Sequence, residues 1–287
     1  MREYLILSGK GGSGKTSFAA SFAVLENNCA VADCDVDAAD LHLLLPPETR
    51  SSEDFFSGWE PVIDNVKCIN CGRCADLCRF NAFTISGSVP VYDRLACEGC
   101  GVCSDNCPGG AITLKKRFCG YIYESTTMHG PMVSARLDAG GENSGKLVSE
   151  VRKKAKTVAS ASGAGCIISD GPPGIGCPAI SALSGVDKVL LVTEPTVSGY
   201  HDLERIHALC NHFKVPVNIC VNKFDLNMAM TNKIKEFAAA NNADFIGCVP
   251  YDNKVTEAQL AAKTVVELPD SKAADEIKKI WERFKNG

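Results

Sequence analysis

Apolar positions along the chain fall into two regimes separated by a polar, cysteine-bearing interval. Tyr4-Leu5-Ile6-Leu7 is a short unbroken apolar run, the pattern of a strand buried on both faces, and Ser17-Phe18-Ala19-Ala20 opens a helix. Ala30-Val31-Ala32 supplies a second strand. The interval 46–60, opening Pro46-Pro47-Glu48-Thr49, reads as a linker, and the stretch from there to about 118 has few helical or strand periods. The pattern resumes with strands within 120–137 and a helix over 144–161. Further strands are predicted at 166–169, 188–193, 215–221 and 244–249, and further helices at 200–213, 228–241, 253–262 and 272–285. Regular strand–helix alternation demands a mostly parallel sheet covered on both faces. The expected fold is therefore α/β. Residues 1–59 and 119–287 make one discontinuous domain, and 60–118 make a small inserted α+β domain.

Between the first strand and the first helix lies Gly9-Lys10-Gly11-Gly12-Ser13-Gly14-Lys15-Thr16. This is the G-x-x-x-x-G-K-[ST] loop in the strand–loop–helix context it requires. Its glycines let backbone N–H groups turn inward around a phosphate, and the helix N-terminus adds its positive end. Lys15 reaches the β- and γ-phosphates and the Thr16 hydroxyl ligates Mg²⁺. The expected ligand-binding set is Gly11, Gly12, Ser13, Gly14, Lys15, Thr16 and Ser17. Gly140-x₄-Gly145-Lys146 imitates the motif, but Leu147 stands where Mg²⁺ needs a hydroxyl, so it reads as the start of a helix.

Composition narrows the partners. A net charge of −4 leaves no electrostatic footprint for nucleic acid, and Lys115-Lys116-Arg117 and Arg152-Lys153-Lys154 read as solvated faces. No leader segment or membrane-length apolar run is seen, so a cytoplasmic chain is expected. Sixteen cysteines are then too many for a reducing compartment unless they bind metal.

Eight of them resolve the matter. Cys68-x₂-Cys71-x₂-Cys74-x₃-Cys78 is followed by Cys97-x₂-Cys100-x₂-Cys103-x₃-Cys107-Pro108, the spacing of bacterial two-cluster ferredoxins written twice. The fourth cysteine of each run crosses to the other cluster. The expected ligand sets for two [4Fe–4S] clusters are thus Cys68, Cys71, Cys74 and Cys107, and Cys97, Cys100, Cys103 and Cys78. Arg79 replaces the proline that would close the first run. Zinc, the competing reading of CxxC pairs, needs no such pair of identical four-cysteine runs. Of the remaining cysteines, those in apolar surroundings read as buried core thiols.

The Lys10-Gly11-Gly12-Ser13-Gly14-Lys15-Thr16 form resembles the deviant P-loop of the MinD/ParA/Mrp ATPases. That resemblance extends over the chain. It implies an ATP-dependent homodimer, or a pairing with a paralogous ATPase, in which Lys10 reaches the partner's nucleotide. It also implies that Asp35, in Asp33-Cys34-Asp35-Val36-Asp37, orients the attacking water, with Asp33 nearer the P-loop lysine and metal. Asp170-Gly171-Pro172-Pro173-Gly174 resembles the Mrp branch, with Asp170 in the Mg²⁺ shell and the loop as second switch. Asn222-Lys223-Phe224-Asp225 leaves two readings open: alone it is the guanine-reading motif, whereas the resemblance implies that Asn222 reads adenine and that Pro250-Tyr251-Asp252 closes over the base.

The nitrogenase iron protein, a relative, shares a cluster across its dimer; Cys177 is the candidate for that here, with no evident second cysteine beyond a positional guess at Cys119, against a buried or structural thiol. The last helix carries Ala273, Ile277, Ile280, Trp281 and Phe284 on one face, which suits docking on the core better than membrane binding. Taken with the cysteines, the resemblance implies an iron–sulfur ATPase that gates electron transfer to a redox or iron–sulfur partner protein. The alternatives are a cluster-assembly or maturation factor and a non-redox spatial regulator of the MinD/ParA kind.

Overall fold

The computed structural model describes residues 1–87, 89–141 and 143–287. In chain order the elements are β1 (Arg2–Ser8), α1 (Lys15–Glu26), β2 (Cys29–Asp33), β3 (Glu48–Ile63), α2 (Arg73–Leu77), β4 (Phe83–Ser86), β5 (Val89–Tyr92), α3 (Val102–Asp105), β6 (Ile112–Thr127) and β7 (Gly130–Leu137). There follow α4 (Ser144–Ser162), β8 (Cys166–Pro173), α5 (Cys177–Leu183), β9 (Lys188–Thr193), α6 (Val197–His212), β10 (Val217–Asn222), α7 (Met228–Ala240), β11 (Asp244–Val249), α8 (Asn253–Leu260) and α9 (Lys272–Asn286).

The principal sheet runs β11-β10-β9-β1-β8-β2-β7-β6-β3. Neighbours from β11 through β7 pair in parallel, so the sheet is mostly parallel. The two-residue connection Met128-His129 makes β6 and β7 a hairpin, hence antiparallel. Central strands are buried on both faces, which is why β1 reads as a continuous apolar run. Register sets Asp33 of β2 opposite Asp170 of β8, and Leu7 of β1 opposite Leu191 of β9. The loops after β1, β2, β8, β9, β10 and β11 consequently emerge at the carboxyl edge of one sheet, where α/β folds bind ligands.

The chain divides into two compact units. The larger comprises Met1–Glu53, Ile122–Arg136 and Ser144–Gly287; the smaller comprises Asp54–Tyr121 and Leu137–Asn143. In the smaller unit β4 and β5 pair antiparallel, with Phe83 opposite Tyr92. Its core is Ala82, Phe83 and Cys97, against which Ile63, Cys74, Cys78, Tyr92 and Cys103 pack. The two cysteine runs share a local design. Gly72, at φ 75°, precedes α2 and Gly101, at φ 80°, precedes α3, so each run turns through a left-handed glycine into a short helix.

Three expectations are corrected, and the structural-thiol reading of Cys119 is kept. Residues 46–60 are no linker, because β3 occupies most of them; as the last strand of the sheet it leaves its first seven residues exposed, which erases the alternation that marks strands. Arg152 is no solvated cation: it is 6% exposed and forms a two-pronged ion pair with Glu3 of β1, at 2.7 and 2.8 Å. Arg117 is likewise buried, donating to the carbonyls of Cys97, Arg94 and Gly140. Cys119 is buried, its thiol 3.3 Å from the Ser57 carbonyl, which suits a structural thiol rather than a ligand shared across a molecular surface.

The apolar face of α9 is docked. Trp281 and Phe284 are buried and meet Tyr4 and Phe22, with ring centroids 4.7 Å apart for Phe22 and Trp281. Among the described residues, no helix is long and apolar enough to cross a membrane. Gly145 of the imitation motif lies in α4, where an added Cβ would sit 3.1 Å from the Cys177 carbonyl and the Ser181 hydroxyl; close helix packing accounts for that glycine.

Candidate functional site: a phosphate loop at the sheet's carboxyl edge

The loop after β1 takes its shape from two positive-φ glycines, Gly12 at 80° and Gly14 at 99°. Gly14 also allows close approach: a Cβ there would lie 2.5 Å from Nδ2 of Asn222, which donates a 2.9 Å hydrogen bond to the Ser13 carbonyl. Asn222, at the end of β10, thus braces the phosphate loop. Lys15 and Thr16 begin α1, so the ammonium, the hydroxyl and the helix N-terminus converge on one place. Gly12, Gly14, Lys15, Thr16 and Ser17 line a cavity of about 400 Å³ together with Asp40 and Gln259. Gly11 faces open space, with nothing within 4 Å of where a Cβ would sit, and Ser13 is buried.

Carboxylates gather beside the lysine. Asp170, buried within β8, is pushed up to about 6 by burial, with Lys15 and a Thr16 hydrogen bond pulling the other way. Its Oδ1 has no hydrogen-bond partner. A buried, orphaned carboxylate oxygen beside a threonine hydroxyl is a set of hard oxygen ligands suited to a hydrated divalent cation. Asp33 is raised well above the usual carboxylate range by burial and by Asp170. It accepts from the backbone N–H of Asp35 at 3.2 Å and of Leu41 at 3.1 Å, so it shapes the loop after β2. Asp35 is half-buried and raised by burial, with Lys15 opposing. Asp37 is exposed.

An adjoining cavity of about 370 Å³ is lined by Gly12, Gly14, Ser17, Asn222, Lys223, Pro250, Tyr251, Thr256 and Gln259, among others. The sequence-predicted Asn222, Pro250 and Tyr251 are therefore brought together with the phosphate loop. Lys10 is held elsewhere. Its Nζ lies 3.4 Å from Glu194 and 3.5 Å from the Ser198 hydroxyl. Lys223 reaches the same carboxylate at 2.7 Å. Burial pushes the Glu194 carboxyl up, but Lys223 and Lys10 outweigh it and hold the group below its usual range. Sequence reasoning missed Glu194 and Gln259. Glu194 was findable, because it is an acid directly after the apolar strand β9, as Asp170 is after the apolar start of β8.

In the smaller unit, Cys68, Cys71, Cys74 and Cys107 line one cavity, which Cys103 also reaches. Cys78, Cys97, Cys100 and Cys103 line a second. Backbone N–H groups point at three of the sulfurs: Ala82 to Cys78 at 3.4 Å, and Gly99 to Cys97 and Ala111 to Cys107 at 3.3 Å each. Among the described residues, no three His, Cys, Asp or Glu side chains are gathered tightly enough for one metal ion. None of the sixteen cysteines is in a disulfide, and Cys177 is exposed.

Fold and site together define a P-loop nucleotide-binding protein. A family model described as the CobQ/CobB/MinD/ParA nucleotide binding domain matches residues 4–265, and the chain belongs to that family. It is similar to an uncharacterised protein of Methanocaldococcus jannaschii, 36% identical over 287 residues, which cover 98% of this chain and 95% of the relative. It is also similar to the septum site-determining protein MinD of Bacillus subtilis, 24% identical, over 98% of this chain and 87% of that one. Among solved structures, the fold matches MinD of Pyrococcus horikoshii in complex with Mg-ADP, with a TM-score of 0.59 and 17% identity over 99% and 96% of the two chains.

Proposed function

We propose that the protein is an iron–sulfur ATPase in which ATP binding and hydrolysis, in a homodimer or with a paralogous ATPase, gate electron transfer through two [4Fe–4S] clusters to a partner protein. The observation that carries this reading is the grouping of the eight cysteines around two cavities, Cys68, Cys71, Cys74 and Cys107 at one and Cys78, Cys97, Cys100 and Cys103 at the other, with Cys103 bordering both. Each run thus sends its fourth cysteine to the cavity of the other run. A four-iron cube spaces its thiolates around a core of several atoms, more widely than one ion does. The residues fit the group. Cys68, Cys71, Cys74 and Cys107 would hold one cluster and Cys78, Cys97, Cys100 and Cys103 the other. When bound, the clusters supply one-electron chemistry.

Hydrolysis rests on positioning and charge. Lys15 and the N–H groups of residues 11–17 cradle the phosphates, Thr16 and Asp170 hold Mg²⁺, and Asp35 orients water. Lys10 leaves Glu194 for the nucleotide of the second subunit. The loop holding Asp35 precedes β3, whose chain continues into the cysteine-bearing unit, which supports a link from γ-phosphate to cysteines.

The test is anaerobic EPR of the reduced, reconstituted protein with Mg-ADP and then with a non-hydrolysable Mg-ATP analogue. A nucleotide-dependent line shape or reducibility is expected. Unchanged spectra with both clusters retained would count against gating, and transfer of iron and sulfide to an apo-acceptor would favour an assembly factor.

A further inference from the structure

The two cysteine runs sit in one motif built twice, and its copies differ at a buried polar group. An aspartate four residues before each run donates its backbone N–H to an alanine four residues after the other run: Asp64 to the Ala111 carbonyl at 2.7 Å, and Asp93 to the Ala82 carbonyl at 2.8 Å. Those alanines in turn donate to the last sulfur of that other run, Ala111 to Cys107 and Ala82 to Cys78. Ile63, the last residue of β3, and Tyr92, the last residue of β5, immediately precede the two aspartates and so hold equivalent positions. We infer that Tyr92 makes the two cluster sites unequal. It gives the site of Cys78, Cys97, Cys100 and Cys103 a phenol O–H donor where the related site has the hydrocarbon of Ile63, so this site has the higher reduction potential and an incoming electron settles there. The inference rests on the iron–sulfur reading of the cysteines.

Tyr92 packs on Phe83, with ring centroids 5.6 Å apart, and against Cys97. Its hydroxyl oxygen is buried, yet it has no well-aligned hydrogen-bond partner among the described residues. The Cys97 thiol lies within its hydrogen-bonding reach. A buried, unsatisfied hydroxyl calls for a partner, and a neutral thiol is a weak one. The same sulfur bound to iron is a thiolate, a charged acceptor to which a phenol O–H donates strongly. Ile63, by contrast, lines the cavity of Cys68, Cys71, Cys74 and Cys107 with a side chain that can donate nothing.

Neighbouring charges reinforce the difference. Arg117 is buried and donates to the Cys97 carbonyl at 2.9 Å, which sets a guanidinium beside the same ligand. The Glu60 carboxylate, which also faces Tyr92, is offset by Lys115 at 3.0 Å and Arg94 at 3.4 Å. Arg73, lining the first cavity, and Glu98, lining the second, are both exposed, where water weakens their fields. Reduction adds one electron and no proton to a site. A donor to sulfur and a buried cation stabilise that added negative charge and raise the potential. Tyr92 keeps its O–H throughout.

The experiment is an anaerobic potentiometric titration of the full, reconstituted chain, with dithionite as the electron source and EPR as the readout. Two one-electron waves at different potentials are expected. Tyr92→Phe keeps the ring against Phe83 and removes only the hydroxyl. It should lower the reduced-to-oxidised ratio of the upper wave about tenfold at fixed potential, a shift of about 59 mV, the size of one lost hydrogen bond to a charged group. The lower wave should not move. In Cys107→Ser, where the replaced ligand belongs to the other site, the upper wave should persist and still respond to Tyr92→Phe. A single unresolved wave in the unaltered protein, an upper wave that Tyr92→Phe leaves in place, or a shift confined to the lower wave would overturn the inference. Equal shifts of both waves, or outright loss of the upper signal, would overturn it too, by showing that Tyr92 serves the structure alone. Reconstitution that leaves the unaltered protein without iron would instead remove the iron–sulfur reading itself.

Discussion

At the scale of residues, two lysines of one loop are in different electrostatic states. Lys15 is buried beside Asp170 and Asp35, whereas Lys10 is tied to Glu194 and Ser198. Lys15→Ala removes the charge nearest the carboxylates and should lower kcat for ATP at least about 100-fold, the scale of losing one strong electrostatic contact in a transition state. If the proposed clusters are present, iron content, measured on the same reconstituted preparation, should not change, because the eight cysteines proposed to hold them belong to the other unit. Glu194 is a second lever. A carboxylate shared between Lys10 and Lys223 restrains Lys10 while no nucleotide competes for it. Glu194→Gln should therefore lower the ATP concentration needed for self-association, read by sedimentation velocity across a nucleotide series. No shift in that midpoint would mean that the contact is incidental.

Elements show where local sequence spoke clearly and where it could not. Arg152 of α4 grips Glu3 of β1 and caps the end of α5 through the carbonyls of Ser181 and Ser184, at 2.9 and 2.7 Å, while Ser169 of β8 donates to Glu3. Breaking such a buried pair with Arg152→Met strands the glutamate charge and should cost about 3–5 kcal/mol in urea unfolding. Lys156, 3.2 Å from Glu3, pulls the cost toward the lower end. None of this was legible beforehand, because a cation in a basic run declares its burial only through partners 29 to 149 residues away. The parallel strands and long helices were legible, since two-faced burial writes apolar runs and one-faced burial writes a helical period. Strand β3 was not, for want of a buried face along its first half. Helix α5 was missed as well: it is seven residues long, with proline at its start, and carries too few turns to establish a period. The phosphate loop and the cysteine runs were plain because spacing alone defines them. The hydrogen bond that Asp225 accepts from the Tyr251 N–H was hidden, since the two lie 26 residues apart.

At the scale of the whole molecule, the crossing of cysteines between runs has a genetic signature. On the proposed cluster reading, Cys107→Ser, in the second run, should impair the cluster proposed for Cys68, Cys71 and Cys74, and Cys78→Ser the reverse; EPR spin quantitation of each reconstituted variant would show which signal is lost. The larger unit, meanwhile, contains a chain of contacts that begins and ends at the nucleotide cavity. Phe22, on the helix that starts at Lys15, packs on Trp281 of α9; the first turn of α9 is pinned through Ser271 and Ala273 to Asp252; and Asp252 lines the cavity beside the phosphate loop. Trp281→Ala, at the centre of this chain, should cost about 3–5 kcal/mol of stability. Helix α9 thus serves as a clock hand whose pivot, at Ile277, rests against the dial. Deuterium uptake by its amides should slow when ADP fills the cavity, and its rate would report occupancy from the far end of the chain.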